Sequence, residues 1–153
     1  VQYYHDSIGV NSRLDSIQAA ILRIKLRHLD AYAAARNNAV SYYDKAFAGS
    51  SKLRTPKRVK HSDHVFHQYT LQLNGVDRQG LRDHLASKGI PSMIYYPVPL
   101  HMQKAYLDPR YTAGMFPVTE QLCASVISLP MHSELEESTL EFITLSVLEY
   151  VNK

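Results

Sequence analysis

The sequence contains one cysteine and no long apolar run. Cys123 cannot form an internal disulfide, and its setting, EQLCASVISL, indicates a small packing residue of a helix rather than a nucleophile. No stretch of eighteen or more apolar residues occurs, and the first residues, VQYYHDS, lack the basic and apolar regions of a signal peptide. We therefore expect a cytoplasmic protein that does not bind a membrane.

The sequence also lacks the motifs of several enzyme classes. It has no GxGxxG and no P-loop lysine motif, which excludes the usual glycine-rich phosphate-binding loops. It has no GxSxG nucleophile elbow, although composition alone leaves a Ser/His/Asp arrangement open. With 45% hydrophobic and 20% charged residues over 153 positions, the chain suits one globular domain, or a large piece of one, with its own core.

The net charge is +3, and the densest basic stretch is Lys52 to Lys60, KLRTPKRVK. Such a stretch can contact nucleic acid or another polyanion. It has none of the interleaved aromatic residues or glycines of a single-strand binder, and it lies between a predicted helix and a predicted strand. A solvated loop is the favoured interpretation, and we expect no nucleic-acid partner.

Apolar residues recur every three or four positions from Leu14 to about Phe47, which predicts one long helix. At 1.5 Å per residue this helix reaches roughly 50 Å, which is too long for a small domain to cover. We expect it to join two domains or to line a subunit interface. The chain then divides into residues 1–48, an opening motif with the long helix, and residues 49–153, a small α/β domain.

Strand-like and helix-like patterns follow one another through the second region. The predicted elements are a strand over 65–73, a helix from the Asp77 cap to Gly89, a second strand over 91–96, a helix from Pro117 through Val126, an extended piece over 128–132, and a last helix from Glu136 and Glu137 to Val151. An irregular stretch, PVPLHMQKAYLDPRYTAGMF, precedes Pro117. Its tyrosines and His101 are typical of loop residues at a site.

His61, His64 and His67 form a cluster, HSDHVFH, of the residue type that commonly binds zinc. A spacing of three residues places side chains on one face of a helix but on alternate faces of a strand. Because VFHQYTL is predicted to be a strand, structural or surface histidines are favoured over a metal site.

The start of the long helix, GVNSRLDSIQAAILRIKL from Gly9, is polar for an otherwise apolar helix. Asn11 or Ser12 can cap it. Capping does not explain Arg13, because the helix dipole disfavours a guanidinium at this end by roughly 0.3 to 1 kcal/mol. Two interpretations stay open: an ion pair of Arg13 with Asp15, or a phosphate site formed by Asn11, Arg13 and the exposed helix N–H groups.

These residues also carry a family resemblance. The segment GVNSRLDSIQAAILRIKLRHLD resembles the signature of the DegT/DnrJ/EryC1/StrS family of pyridoxal-phosphate sugar-nucleotide aminotransferases. The matching positions are Gly9, Asn11, Arg13, Gln18, Ala19 and Ala20. Residues 89–106 and 116–132 resemble later blocks of the family, in the expected order, so the resemblance spans nearly the whole chain.

The resemblance implies that this chain is the C-terminal portion of a fold-type I aminotransferase. In the family, the lysine that binds pyridoxal 5'-phosphate lies in a large N-terminal domain, before the point where Val1 begins, and no lysine here has that context. The implied fold is α+β: the long linking helix plus a small domain whose short, mostly antiparallel sheet is covered by helices. The implied chain has no catalytic residue and no metal site.

The resemblance also implies roles for individual residues. Family active sites are shared between the two subunits of a homodimer, so Asn11 is expected at the partner's cofactor phosphate and Arg13 near the substrate's nucleotide phosphates. Tyr95 and Tyr96 correspond to a segment that contacts the nucleotide-sugar, often His-Tyr-Pro in relatives, from which Tyr95 departs. His101 either lines the same pocket or anchors its loop.

The implied chemistry is the transfer of an amino group from an amino acid, expected to be glutamate, to a nucleotide-linked keto-sugar. The NSRLD and HQYTL segments look most like the branch that acts on UDP-linked 2-acetamido-3-keto sugars. Two alternatives stay open. One is a dehydratase of the same family, with a histidine in place of the cofactor lysine, and the other is a non-catalytic binding or dimerisation module.

Overall fold

A computed structural model describes residues 2–153. Within them the regular elements are helices α1 (Ser16–Lys25), α2 (Leu29–Phe47), α3 (Arg78–Ser87), α4 (Pro117–Ser125) and α5 (Glu137–Val151), strands β1 (Leu53–Arg54), β2 (Tyr69–Leu73) and β3 (Val126–Leu129), and 3₁₀ turns at Leu26–His28, Leu100–Met102 and Lys104–Tyr106. None of the helices in these residues has the length and apolar character needed to cross a bilayer.

The three strands form one antiparallel sheet in the order β1-β2-β3. Leu53 pairs with Leu73, and Tyr69 pairs with Leu129. Alternate residues of β2 are buried, as expected of a strand with one face against a core. The predicted small α+β domain with a short antiparallel sheet covered by helices is confirmed.

The core lies where α2 and α5 pack together and α3 packs on α5. Its largest fully buried side chains include Tyr43, Tyr69 and Leu71. The rings of Tyr43 and Tyr69 have centroids 4.8 Å apart, and both hydroxyls find acceptors: Tyr43 donates to the Pro130 carbonyl at 3.0 Å and Tyr69 to Asp44 at 2.8 Å. Burial, and then Asp44, raise the pKa of Tyr69 far above its ordinary value, so this hydroxyl stays a donor.

The predicted long helix is present but is not uniform. It runs from Ser16 to Phe47, with the 3₁₀ turn Leu26–His28 between α1 and α2. It begins two residues later than predicted, and its cap is Asp15 rather than Asn11 or Ser12, which corrects that expectation. The second half of α2 enters the core, whereas α1 buries no residue.

Three strand boundaries differ from the sequence prediction. The strand predicted over 65–73 begins only at Tyr69, and Phe66, with a φ of +45°, has a backbone conformation outside the β region. The prediction of a strand over 91–96 is wrong, because only Met93 of this segment forms a β-bridge, with Ser128. Val126, assigned to the helix, opens β3 instead, so the extended piece lies at 126–129.

The basic stretch over 52–60 is not wholly a loop, which also corrects the prediction. Leu53 is buried, and Leu53–Arg54 form the edge strand β1 beside β2. The lysines that flank this short strand are exposed. The two-residue length of β1 suits an edge that carries basic side chains on each side.

Candidate functional site

The opening motif is held to α1 by its aspartate. Asp15 Oδ1 accepts the Gln18 backbone N–H at 2.8 Å, and Gln18 Oε1 accepts the Asp15 N–H at 3.4 Å, which completes a capping box. The Asp15 carboxylate is therefore engaged at the helix start. This arrangement leaves Asn11 and Arg13 without a role in capping.

The side chains of Asn11 and Arg13 are exposed. No hydrogen bond or ion pair joins either of them to another residue of the described chain, so the local ion pair between Arg13 and Asp15 is absent there. An amide and a guanidinium together offer several N–H donors in a geometry that suits phosphate oxygens. The donor set thus fits a phosphate group supplied from outside this chain.

The apolar face of α1 is uncovered. Its large hydrophobic side chains are between 51% and 73% exposed, namely Ile17, Ile21, Leu22 and Ile24. Ile8, Val10 and Leu14 extend the same exposure through the opening motif. A contiguous apolar surface of this kind marks a contact surface for another protein part.

Tyr95 and Tyr96 lie together and meet a third tyrosine from the start of the chain. The Tyr3 ring is edge-on to both, with centroid distances of 5.8 Å to Tyr95 and 5.4 Å to Tyr96. Partial burial, and then the neighbouring Tyr3, raise the pKa of Tyr95 above its ordinary value. Tyr96 is 57% exposed and presents its ring to the surroundings.

Gln103 attaches the start of the chain to this region. Its Oε1 accepts the His5 backbone N–H at 3.1 Å, and its Nε2 donates to the Tyr3 carbonyl at 2.8 Å. The Ala105 N–H donates to the His5 carbonyl at 3.0 Å. Sequence reasoning missed both Gln103 and Tyr3, because contacts between residues 98 and 100 positions apart leave no local pattern.

His101 lies next to Glu120, and its imidazole contacts that carboxylate. Its Nε2 is 3.2 Å from Glu120 Oε1, and its ring lies 4.8 Å from that of Phe116. Glu120 also accepts the backbone N–H groups of Gly114 and Phe116, the former at 2.9 and 3.0 Å. Although burial opposes it, these N–H donors, together with His101, hold the pKa of Glu120 below its ordinary value.

This arrangement favours the loop-anchoring interpretation of His101. Glu120 ties the 113–116 turn to α4, and the His101 side chain, only 10% exposed, packs behind it. An open apolar recess of about 390 Å³ lies beside these residues, lined by Leu100, His101, Tyr106, Tyr111, Phe116 and Thr119. A role of His101 in substrate binding stays a prediction.

The remaining candidates from the sequence are the histidine cluster and Cys123. His64 Nδ1 accepts the Phe66 N–H at 2.8 Å, and the two rings stack at 4.1 Å, which shapes the turn before β2. Across residues 2–153 no three His, Cys, Asp or Glu side chains are grouped to hold a metal ion. Cys123 lies half-buried in α4, and burial raises the pKa of its thiol, which is the opposite of an activated nucleophile.

Comparison with known proteins relates the chain to one family. The sequence profile of the DegT/DnrJ/EryC1/StrS aminotransferase family matches residues 1–147. A UDP-N-acetyl-3-dehydro-alpha-D-glucosamine 3-aminotransferase of Acidithiobacillus ferrooxidans is 43% identical over 138 residues, which cover 90% of this chain and 36% of that protein. A pleiotropic regulatory protein of Geobacillus stearothermophilus is 38% identical over 151 residues, covering 97% of this chain and 40% of that protein.

The three-dimensional structure also resembles that of a solved aminotransferase. The crystal structure of Streptomyces venezuelae DesV in complex with a ketimine intermediate superposes with a TM-score of 0.86 and 34% identity, covering 100% of this chain and 41% of that one. The chain thus spans about two fifths of the length of the proteins it matches.

Proposed function

Because the chain belongs to the DegT/DnrJ/EryC1/StrS aminotransferase family, we propose that it is the C-terminal part of a pyridoxal-phosphate-dependent transaminase. The reaction moves an amino group from an amino acid, glutamate in this proposal, to a nucleotide-linked keto-sugar. The observation that carries the proposal is the pair Asn11 and Arg13, exposed and unpartnered within the described residues, at the family motif that leads into α1.

Pyridoxal 5'-phosphate supplies the electron sink for transamination when it is bound. The chain's own contribution is to bind and orient. The Asn11 amide donates hydrogen bonds to the cofactor phosphate in the partner subunit's site. The Arg13 guanidinium binds phosphate oxygens of the nucleotide-sugar in the same site, where a bidentate contact fixes the substrate's orientation.

The substrate proposal is a UDP-linked 2-acetamido-3-keto sugar. The 43% identical relative from A. ferrooxidans is named for such a substrate, and this supports the choice. In this proposal Tyr95 and Tyr96 present aromatic faces and neutral hydroxyls to the nucleotide-sugar. His101 is held by Glu120 and lines the recess beside the 113–116 turn, and in this proposal any contact of His101 with substrate is made from that position.

The proposed assembly is a homodimer with shared sites. Residues 1–48 link a large cofactor domain outside this chain to the small domain of residues 49–153. The uncovered apolar face of α1 supports this arrangement, because it requires a cover that the small domain does not provide. Each protomer then offers its opening motif to the neighbour's cofactor.

The test uses the complete polypeptide that contains this chain. It is purified with pyridoxal 5'-phosphate, treated with borohydride and digested, and the labelled peptide is identified. We expect the label on a lysine upstream of Val1, and glutamate-dependent formation of an amino-sugar from the UDP-linked 2-acetamido-3-keto sugar. A histidine at that position with loss of a sugar hydroxyl would instead establish a dehydratase, and a polypeptide that binds no cofactor would establish a binding module.

A further inference from the structure

Gln103 is the one large polar side chain among the buried residues of the described chain that links two distant backbone segments. It is 6% exposed, and both ends of its carboxamide are used, one by the His5 N–H and one by the Tyr3 carbonyl. A buried amide with both ends paired is restrictive, because moving either partner leaves a polar group without water or a hydrogen bond. The side chain therefore fixes where Tyr3 and His5 lie.

The backbone that Gln103 holds adopts an uncommon conformation. Tyr3 has a φ of +67°, in the left-handed region that a bulky residue rarely occupies. Such a conformation persists where the surroundings impose it. Here the imposing contacts are the two Gln103 hydrogen bonds and the bond from the Ala105 N–H to the His5 carbonyl.

The result of this constraint is the position of the Tyr3 ring. It makes T-shaped contacts with both Tyr95 and Tyr96, within 5.8 Å between centroids. The same short segment then continues to Asn11 and Arg13. Gln103 thus connects the two parts of the chain to which the proposed function assigns nucleotide-sugar contacts.

We propose that Gln103 is a positioning residue for nucleotide-sugar binding, and that it places Tyr3 as a third tyrosine at the site formed with Tyr95 and Tyr96. This inference rests on the proposed function. Tyr3, Tyr95 and Tyr96 form an edge-to-face cluster with interplanar angles of 70° to 78°, and the surface of this cluster offers aromatic and phenolic groups that suit the polar ring of a sugar or a pyrimidine. The Tyr3 ring can form part of that surface only while its backbone is held.

The experiment uses the complete holoenzyme and compares Gln103→Leu with Gln121→Leu, an exposed glutamine on α4. In Gln103→Leu we expect the KM for the UDP-linked keto-sugar to rise roughly tenfold. The half-reaction with glutamate should keep its wild-type rate, because Gln103 does not act on the amino donor. Hydrogen exchange at the His5 and Ala105 amides should become faster, and Gln121→Leu should match wild type in all three measurements.

A second variant separates the effect of the Tyr3 ring from that of the Gln103 hydrogen bonds. Tyr3→Ala should raise the same KM to a similar degree. The KM of the double variant with Gln103→Leu should be no higher than that of either single variant, because both substitutions remove the same contribution, that of the positioned Tyr3 ring. If Gln103→Leu does not fold, Gln103→Glu replaces it: this variant keeps the acceptor for His5 but sets an oxygen against the Tyr3 carbonyl, and the KM should rise as well.

Unchanged KM in Tyr3→Ala and in the folded Gln103 variant would overturn the inference, even if amide exchange at His5 increased. Equal losses in the keto-sugar and glutamate half-reactions would overturn it too, since they indicate a general structural defect. Failure of the proposed function gives a different result, because the wild-type protein would then show no glutamate-dependent transamination at all.

Discussion

His101 and Glu120 are joined by a 3.2 Å contact between Nε2 and Oε1, and the same carboxylate accepts the Gly114 N–H. Glu120 thereby ties the 3₁₀ turn that carries His101 to the turn before α4. The carboxylate must be ionised to accept from all of these donors, and its pKa is accordingly lowered from the ordinary value of 4.5.

The first prediction concerns this contact and acid pH. Because the folded-state pKa of Glu120 is depressed, its stabilising contribution is complete above about pH 4.5 and is lost as the pH falls through the folded-state pKa. Glu120→Gln should therefore unfold at a lower urea concentration than wild type at pH 7. This gap between the two urea midpoints should shrink below about pH 4.5. Glu134→Gln, at an exposed position, is the control and should show no gap. A gap that widens on acidification would contradict this account.

The second prediction concerns the core hydrogen bond from Tyr69 to Asp44. Tyr69→Phe removes the hydroxyl and leaves the Asp44 carboxylate with Arg58, which lies 3.3 Å away. We expect a loss of about 1–2 kcal/mol in the free energy of unfolding. Tyr111→Phe, at a 43% exposed ring, should change it by less than about 0.5 kcal/mol. Equal effects of the two substitutions in urea unfolding would show that the buried bond contributes nothing.

The third prediction concerns the uncovered face of α1. The isolated chain of 153 residues should self-associate or aggregate, because the apolar side chains of α1 lack a cover. Replacing Ile17 and Ile21 together by Glu should reduce that association in light scattering. The matched control is Phe142→Glu with Leu145→Glu, two exposed apolar residues of α5, which should not reduce it. A compact monomer at high concentration without any substitution would refute the prediction.

The fourth prediction concerns Arg13 in the complete enzyme. In the role proposed for Arg13, Arg13→Lys keeps the charge but loses the bidentate contact with phosphate oxygens, so the KM for the nucleotide-sugar should rise roughly tenfold or more. The glutamate half-reaction should stay near normal. Arg23→Lys, at an exposed position on α1, is the control and should match wild type.

Subunit mixing extends the Arg13 test. If Arg13 acts in the neighbour's site, an Arg13→Lys protomer paired with a protomer that lacks the cofactor lysine should contain one intact site per dimer. Activity restored on mixing the two inactive or impaired proteins supports a shared site. Unchanged nucleotide-sugar kinetics in Arg13→Lys would remove the substrate role altogether.

The fifth prediction concerns covalent cofactor binding. The isolated chain should bind no pyridoxal 5'-phosphate covalently, because the family resemblance implies that the cofactor lysine lies upstream of Val1. Its lysines lie elsewhere: Lys25 ends α1, and Lys45 lies in the last turn of α2. Borohydride labelling of any peptide from these 153 residues would disprove this.

The sequence alone was sufficient wherever the determining interactions are local. Apolar periodicity located the helical segment up to Phe47 and the C-terminal helix to Val151, because a helix places residues three and four apart on one face. The motif around Asn11 and Arg13 was sufficient to identify the family. The alternation of apolar residues in Tyr69–Leu73 was sufficient to predict the central strand.

The tertiary structure decided what depends on distant partners. The segment 91–96 has a strand-like composition, yet it pairs only at Met93, whose N–H and carbonyl both bond to Ser128, and no local pattern shows that the contact stops there. Val126 follows the apolar stripe of α4, yet it joins β3, because Gln72 offers it a ladder partner.

The same reason applies at the site. Asp15 and Gln18 form the cap through reciprocal hydrogen bonds, a choice among several competent capping residues that the sequence left open. Gln103 contacts Tyr3 across 100 positions. Local patterns fix which elements form, because their interactions repeat within a few residues. Folding alone decides which side chains meet, because those contacts depend on how the whole core packs.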